Sequence, residues 1–388
     1  MKAKIWRFLT ILFIVSISRP TRVRSDYEDV QISKTKLAGD VVMLSATNPN
    51  YCPMFLTLRF PVMENMDTSQ TIPVEKLLPA LQSIRDLIRL TPRPGVPSSY
   101  SYSFLAVPGD PRNVRHNDRV TYWIPYQHGT KHRVTQGYNG TFSHQGSMAI
   151  DFGMPIGTMI TAARDGIVTN VKEDSNIGGP DVAYRDYGNF VEIYHDDETF
   201  AVYMHLKHKA AFVEPGRVIK AGDTIGLSGD TGYADSPHLH FEVKTRERNG
   251  ASITIPTKFY DHRGVPVELV SPQYYYGYHP GKAGFQAEFG RELNNERFNN
   301  ADESIRPTGE MRIEKREVDE AVIFYGCNGT GKEQDLTLTL QGENFRPSRP
   351  CPFSARIPSA TRRFLLFIVP VEPDQPWKYS FQYQVKSP

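Results

Sequence analysis

The sequence predicts a mostly β protein built from several domains, and three observations carry that expectation. Short apolar runs alternate with polar residues and are cut by Pro, Asn and Gly clusters, the chain holding 29 Gly and 29 Pro. At 388 residues it exceeds what one small core organises, so two or three domains are expected. In the middle of the chain, Pro237-His238-Leu239-His240-Phe241-Glu242-Val243 reads as a strand with two imidazoles one residue apart. Alternate side chains of a strand share a face, so His238 and His240 project together while Leu239 and Phe241 enter apolar packing.

The elements follow in order. Met1-Lys2-Ala3-Lys4 precedes an apolar run over residues 8–17, broken only by Thr10 and Ser16, and then Arg19-Pro20. This is the basic-then-apolar order of a secretory signal, expected over residues 1–25, and the run is short for a bilayer span. Removal of the signal would leave no membrane span, an uncleaved anchor being the other reading, and the expected location is secreted or periplasmic, in a bacterial envelope. Residues 26–124 form an N-terminal β domain, with strand patterns at Val41-Val42-Met43-Leu44 and Phe55-Leu56-Thr57-Leu58-Arg59-Phe60. Within it, residues 74–90 show apolar positions at helical spacing, interrupted by Pro79.

Residues 125–255 form the central domain, with strands expected over 160–163, 166–171, 190–194, 200–205 and 238–243. Turns are expected at Ala221-Gly222-Asp223 and Gly229-Asp230-Thr231-Gly232, and Asp196-Asp197-Glu198 reads as a hairpin turn. The segments starting at Pro155 and Pro215 each open a hairpin and form a weak internal echo, too short to count as a repeat. Residues 256–307 read as a linker or surface excursion, since 272–307 are rich in Tyr, Gly, Asn and charge without periodicity. Residues 308–388 return to strand patterns and are expected to form a C-terminal β-sandwich.

The formal net charge of +2 and the lack of a basic stripe exclude nucleic acid as the natural partner. Of three cysteines, Cys327 and Cys351 could close a C-terminal loop and leave Cys52 unpaired; free, small core residues are the other reading. His144, Asp151, His205, His238 and His240 supply the chemistry of a hydrolytic zinc site. Zinc takes imidazole nitrogen and carboxylate oxygen, and a catalytic zinc keeps three protein ligands and an open position. His195, His208, His262 and His279 are expected as hydrogen-bonded core or surface residues. Glu242 shares the parity of His238 and His240, as an imidazole partner or as a cross-strand-paired carboxylate.

Three separated motifs, His144 to Asp151, Tyr203-Met204-His205-Leu206 and His238-Leu239-His240-Phe241-Glu242-Val243, resemble the lysostaphin and LytM-type zinc peptidases, which cut peptide bonds of bacterial peptidoglycan. Ala149-Ile150-Asp151-Phe152, Met154-Pro155-Ile156-Gly157-Thr158, Gly188-Asn189 and Gly222-Asp223 agree, and the likeness spans about a third of the chain. The resemblance implies a compact antiparallel β barrel or sandwich with a groove. It also implies one zinc ion on His144, Asp151 and His240, with His205 and His238 unligated and catalytic. One of those two imidazoles would take the proton of the attacking water, and the other would stabilise the oxyanion or protonate the leaving amine.

The chain departs from that family's commonest pattern in one place. A longer gap separates His144 from Asp151, and Ser147 stands where the first histidine is expected. A turn at Gln145-Gly146-Ser147 would let His144 reach, with His128 and His132 as substitutes. The expected activity is that of an exported zinc metalloendopeptidase acting on peptidoglycan cross-links. Alternatives are an inactive binding or regulatory module and a secreted peptidase with protein substrates. Asn139 or His128 could block the open metal position as a latency device.

Overall fold

The computed structural model describes residues 27–387 except 115, 117, 118, 299–301, 373 and 374. The secretory segment expected over residues 1–25 lies outside the described residues. The protein is mostly β with sheets curled into half-barrels, as expected, and it divides into two compact units. Among the described residues, one unit comprises residues 27–127 and 136–269, the other residues 128–135 and 270–387. Among the described residues, no helix is long and apolar enough to cross a membrane.

The centre of the first unit is an antiparallel sheet ordered Val218–Ile219, Gly166–Lys172, Phe190–Tyr194, Phe200–Met204, His238–Arg246, Ala149–Gly153. One face is apolar because alternation holds along the strands. Leu239, Phe241 and Val243 are buried, and Tyr203, Tyr122 and Phe259 ring Phe241 at centroid distances of 5.1, 6.4 and 5.6 Å. The other face carries His238, His240, Glu242, Lys244 and Arg246 from one strand. A second sheet, Met159–Thr161, Thr224–Ser228 and Leu206–Ala211, completes the central domain with a short parallel pair at Gly178–Gly179 and Gly232–Tyr233. The segments that begin at Pro155 and Pro215 enter different sheets.

The N-terminal strands form a sandwich. One sheet is ordered Gln31–Lys36, Val42–Thr47, Ser83–Pro92, Met66–Thr68, the other Val74–Leu78, Met54–Glu64, Ser99–Pro108. Residues 74–90, where helical spacing was expected, are two strands. Leu81 turns the chain at φ 56°, and Asp86 at φ 57° sits in a register shift that places Leu87 and Ile88 side by side in the core. A bulge spaces buried residues irregularly, and here it imitates a helical period. The sandwich core of Leu44, Leu56, Leu58, Leu78 and Ile88 includes Phe200 of the central sheet, so the two domains share one apolar cluster.

The second unit contains another sandwich. Its sheets run Met311–Val318, Ala321–Asn328, Thr361–Pro370, Phe345–Pro347 and Phe353–Ile357, Gln334–Glu343, Lys378–Lys386. Counted from Gln31 and from Met311, both sandwiches place their first, second, sixth and fourth strands in one sheet and their fifth, third and seventh in the other, the second copy adding the short strand Glu303–Ser304 beside Thr361–Pro370. Turns match as well. Asn48 and Asn328 are fully buried, each accepting at Oδ1 from the backbone N–H two residues on. Ser69 and Ser348 each bond the N–H and carbonyl of one residue in the sixth strand, Arg89 and Phe367 respectively. The two flanking domains are the same β-sandwich used twice.

One expectation for this region is corrected, and of the two cysteine readings the free one is observed. Part of the 256–307 stretch packs rather than linking, since Leu293 and Phe298 are buried and Phe298 stacks on Phe364 at 4.3 Å. All three cysteines are free. Cys327 belongs to the cluster with Phe298 and Phe364, whereas Cys351 packs against the interior with Leu336 and Leu365, so the two thiols serve different cores.

Candidate metal centre

Pairing register builds the site. Asp151 lies directly across from His240, and Met204 flanks His240 on its other side. His144 arrives from a loop before the Ala149–Gly153 strand. Gly146 takes φ 72° and Ser147 N–H closes a turn on the His144 carbonyl at 2.8 Å, which absorbs the long gap to Asp151. The strand that carries Tyr203 ends at Met204, and His205 leaves the pleat at φ 63°. That turn brings its ring to 4.5 Å from the ring of His238 and 5.9 Å from that of His240.

Three atoms converge. His144 Nε2 and His240 Nδ1 are 3.2 Å apart, and Asp151 Oδ1 lies 3.2 Å from the first and 3.0 Å from the second. Tetrahedral ligands at zinc bond lengths of about 2.0–2.1 Å stand roughly 3.3–3.4 Å apart, so this near-equilateral triangle fits one face of such a shell. These three residues can hold a metal ion.

Each imidazole is oriented by its other nitrogen. His144 Nδ1–H donates to the Gly137 carbonyl at 3.0 Å, His205 Nδ1–H to Thr231 at 2.7 Å and His238 Nδ1–H to Ser236 at 2.7 Å. His240 Nε2 faces Glu242 Oε2 at 3.6 Å. In His205 and His238 the nitrogen that faces the centre is thereby left with a lone pair, as proton acceptance requires.

The electrostatics favour a cation at this point. Burial alone would push His240 down, but the Asp151 and Glu242 carboxylates hold it up, to about 10. Burial likewise opposes ionisation of Asp151, yet hydrogen bonds from His144 and His240 hold its carboxyl well below the usual range. A field that retains a proton also retains a metal ion. His205 behaves differently: burial and the neighbouring His238 and His240 push it down to about 3, so it is neutral.

Beyond Glu242 two cations follow on the same face of the strand. Lys244 Nζ lies 3.7 Å from Glu242 Oε1 and 3.0 Å from Glu192 Oε2, and Arg246 Nη2 reaches the same Glu192 oxygen at 3.3 Å. Tyr27, ahead of the N-terminal sandwich, donates its hydroxyl to the other oxygen of Glu192. Glu242 thus faces an imidazole, and its cation partner Lys244 lies on its own strand rather than across from it.

Among the described residues, the group that can hold a metal ion takes its histidines from His144 and His240. His128 accepts from the His279 N–H at 2.9 Å, and His132 stands in register with Tyr275. Asn139 turns its amide to Met148 Sδ, and the amide that meets Asp151 is Gln136 Nε2, at the end of the Lys131–Gln136 strand. His195 is a core residue bonded to the Asp165 carbonyl. Sequence reasoning missed Gln136 and the carbonyls of Gly137, Thr231 and Ser236, because backbone acceptors and single amides carry no motif.

Comparison with known proteins agrees with this geometry. Residues 144–253 match the model of peptidase family M23. An uncharacterized metalloprotease of Buchnera aphidicola is 43% identical over 100 residues, covering 26% of this chain and 23% of that protein. The peptidoglycan DD-endopeptidase ShyA of Vibrio cholerae is 35% identical over 108 residues, covering 27% and 22%. The glycyl-glycine endopeptidase ALE-1 of Staphylococcus capitis is 33% identical over 149 residues, covering 38% and 37%. The matches thus span well under half the length of each of these relatives. The resemblance to lysostaphin and LytM-type peptidases read from the three motifs is shown by these matches.

Proposed function

We propose that the chain is an exported zinc metalloendopeptidase that hydrolyses peptide cross-links of bacterial peptidoglycan. One observation carries the reading: His144 Nε2, Asp151 Oδ1 and His240 Nδ1 meet within 3.2 Å of one another while two further imidazoles, on His205 and His238, stand beside them. Three ligands plus spare imidazoles is the composition of a catalytic centre, because a structural zinc closes its shell with four protein ligands. The substrate class comes from the relatives, named for peptidoglycan and glycyl-glycine endopeptidase activities. Such a substrate lies outside the cytosol, which supports export to the periplasm or medium.

His144, Asp151 and His240 would hold the ion. A bound zinc supplies Lewis acidity and lowers the pKa of its water from about 15.7 toward 7. The chain's own work is positioning and proton transfer. His205, kept neutral by burial and anchored through Nδ1–H, offers Nε2 as a proton acceptor. His238 is anchored in the same way, and its Nε2 lies 3.7 Å from Asp151 Oδ1, within reach of the same reaction space. Between them they take up the proton of the attacking water and hydrogen-bond the oxyanion or the departing amine.

The test is hydrolysis of purified sacculi and of pentaglycine by the purified chain, with and without chelator, beside casein. Cleavage of wall substrate that stops on chelation is expected. Zinc binding without any cleavage would favour a regulatory module, and preference for casein would favour a protein substrate.

A further inference from the structure

We infer that Gln136 is a positioning residue of the metal centre, holding the Asp151 carboxylate and the loop that carries His144 in one arrangement. The inference rests on His144 and Asp151 being ligands. Gln136 ends the Lys131–Gln136 strand, half-buried. Its amide nitrogen donates to Asp151 Oδ2 at 2.9 Å and to Ser143 Oγ at 2.9 Å. Its carbonyl oxygen accepts from the Phe142 N–H at 2.9 Å and the Ser143 N–H at 3.2 Å. A primary amide has two N–H donors and two carbonyl lone pairs, so every hydrogen-bonding capacity of this side chain is used.

The four partners fall into two groups. Asp151 Oδ2 is the oxygen turned away from the histidine nitrogens, and a donor on it sets the rotation of the carboxylate that presents Oδ1. The other three bonds hold residues 142 and 143, immediately ahead of His144. One side chain therefore fixes two ligands that come from different elements. Glutamate could not replace it, because a carboxylate has no N–H for Asp151 and would set like charges together. Gly140 fits the same design. A Cβ there would overlap Gln136 Cγ, so the loop can wrap the amide only if residue 140 has no side chain.

The test is zinc affinity of the full chain, measured by competition with a chromogenic chelator, beside the melting temperature of the metal-free protein. Gln136→Met keeps the length of the side chain and removes all four bonds. We expect it to bind zinc about 10–100-fold more weakly while the metal-free protein still melts cooperatively. Gly140→Ala, which keeps the amide but displaces it, should weaken zinc in the same direction and decides the matter should Gln136→Met not fold. Wild-type zinc affinity in a folded variant would overturn the positioning role. Failure of the unmutated chain to bind zinc would instead overturn the proposed function.

Discussion

His205 reaches the centre only by leaving the pleat. As the residue after Met204, it would face the apolar side of a regular strand, and its φ of 63° places it beside His238. A left-handed conformation costs a residue with a Cβ about 1–2 kcal/mol, so its presence here marks a functional constraint. Strand alternation alone does not reveal this approach, which was legible only through family likeness. His144 was legible in the same way, and the turn at Gly146 accounts for its spacing. Gln136 was not, since a lone Gln at a strand end announces nothing. Replacing His205 by Ala should leave zinc bound and lower turnover by about 10²–10⁴-fold, checked by metal content and sacculus hydrolysis. His195 gives a pH prediction away from the centre. Burial and the nearby Arg164 push it down to about 4, below an unfolded value of about 6.5. The unfolded chain then binds more protons between these values. The stability is therefore full above about pH 6.5 and falls by up to about 3 kcal/mol as the pH drops to 4. Urea titrations at pH 7 and 4.5 should show this loss in the wild type and a smaller one in His195→Gln.

The His238–Arg246 strand is the element whose sequence could be read completely. Its odd positions are buried, Leu239, Phe241 and Val243 being apolar, its even positions carry imidazoles and charges, and the observed strand extends the expected one only at its C-terminal end. The central strands were legible for the same reason, because β-branched runs separated by glycine turns allow few other readings. The 74–90 segment misled because a bulge at Asp86 breaks the two-residue period that identifies a strand. The charge row along the site strand also has an energetic consequence. Glu192 is buried, and although burial opposes its ionisation, Lys244 and Arg246 hold its carboxyl below the usual range. Glu192→Ala would remove the buried carboxylate that Lys244, Arg246 and the Tyr27 hydroxyl share, at a cost of about 3 kcal/mol. Urea unfolding of the variant at pH 7 measures it, and a loss under 1 kcal/mol would contradict the buried row.

At the scale of the whole molecule, one sandwich is used twice for different ends. In the N-terminal copy, Phe55 pairs with Leu77 and Val107 on a face buried against Arg112 and Arg248. At the matching position of the other copy stands Asp335, paired with Arg356 and Lys386. The duplication escaped sequence reading because strand order and a few turn residues such as Asn48 and Asn328 repeat while most strand side chains do not. Phe55→Asp places the second copy's residue in the first copy's buried face. It should destabilise the first unit by at least about 3 kcal/mol, seen as a lowered first transition in calorimetry. The central claim, that distant residues converge on one zinc ion, is tested most directly by the zinc content of the purified wild-type chain and of His240→Ala after equal dialysis against zinc-free buffer. The account predicts one equivalent in the wild type and almost none in the variant; a full equivalent retained by His240→Ala would contradict it.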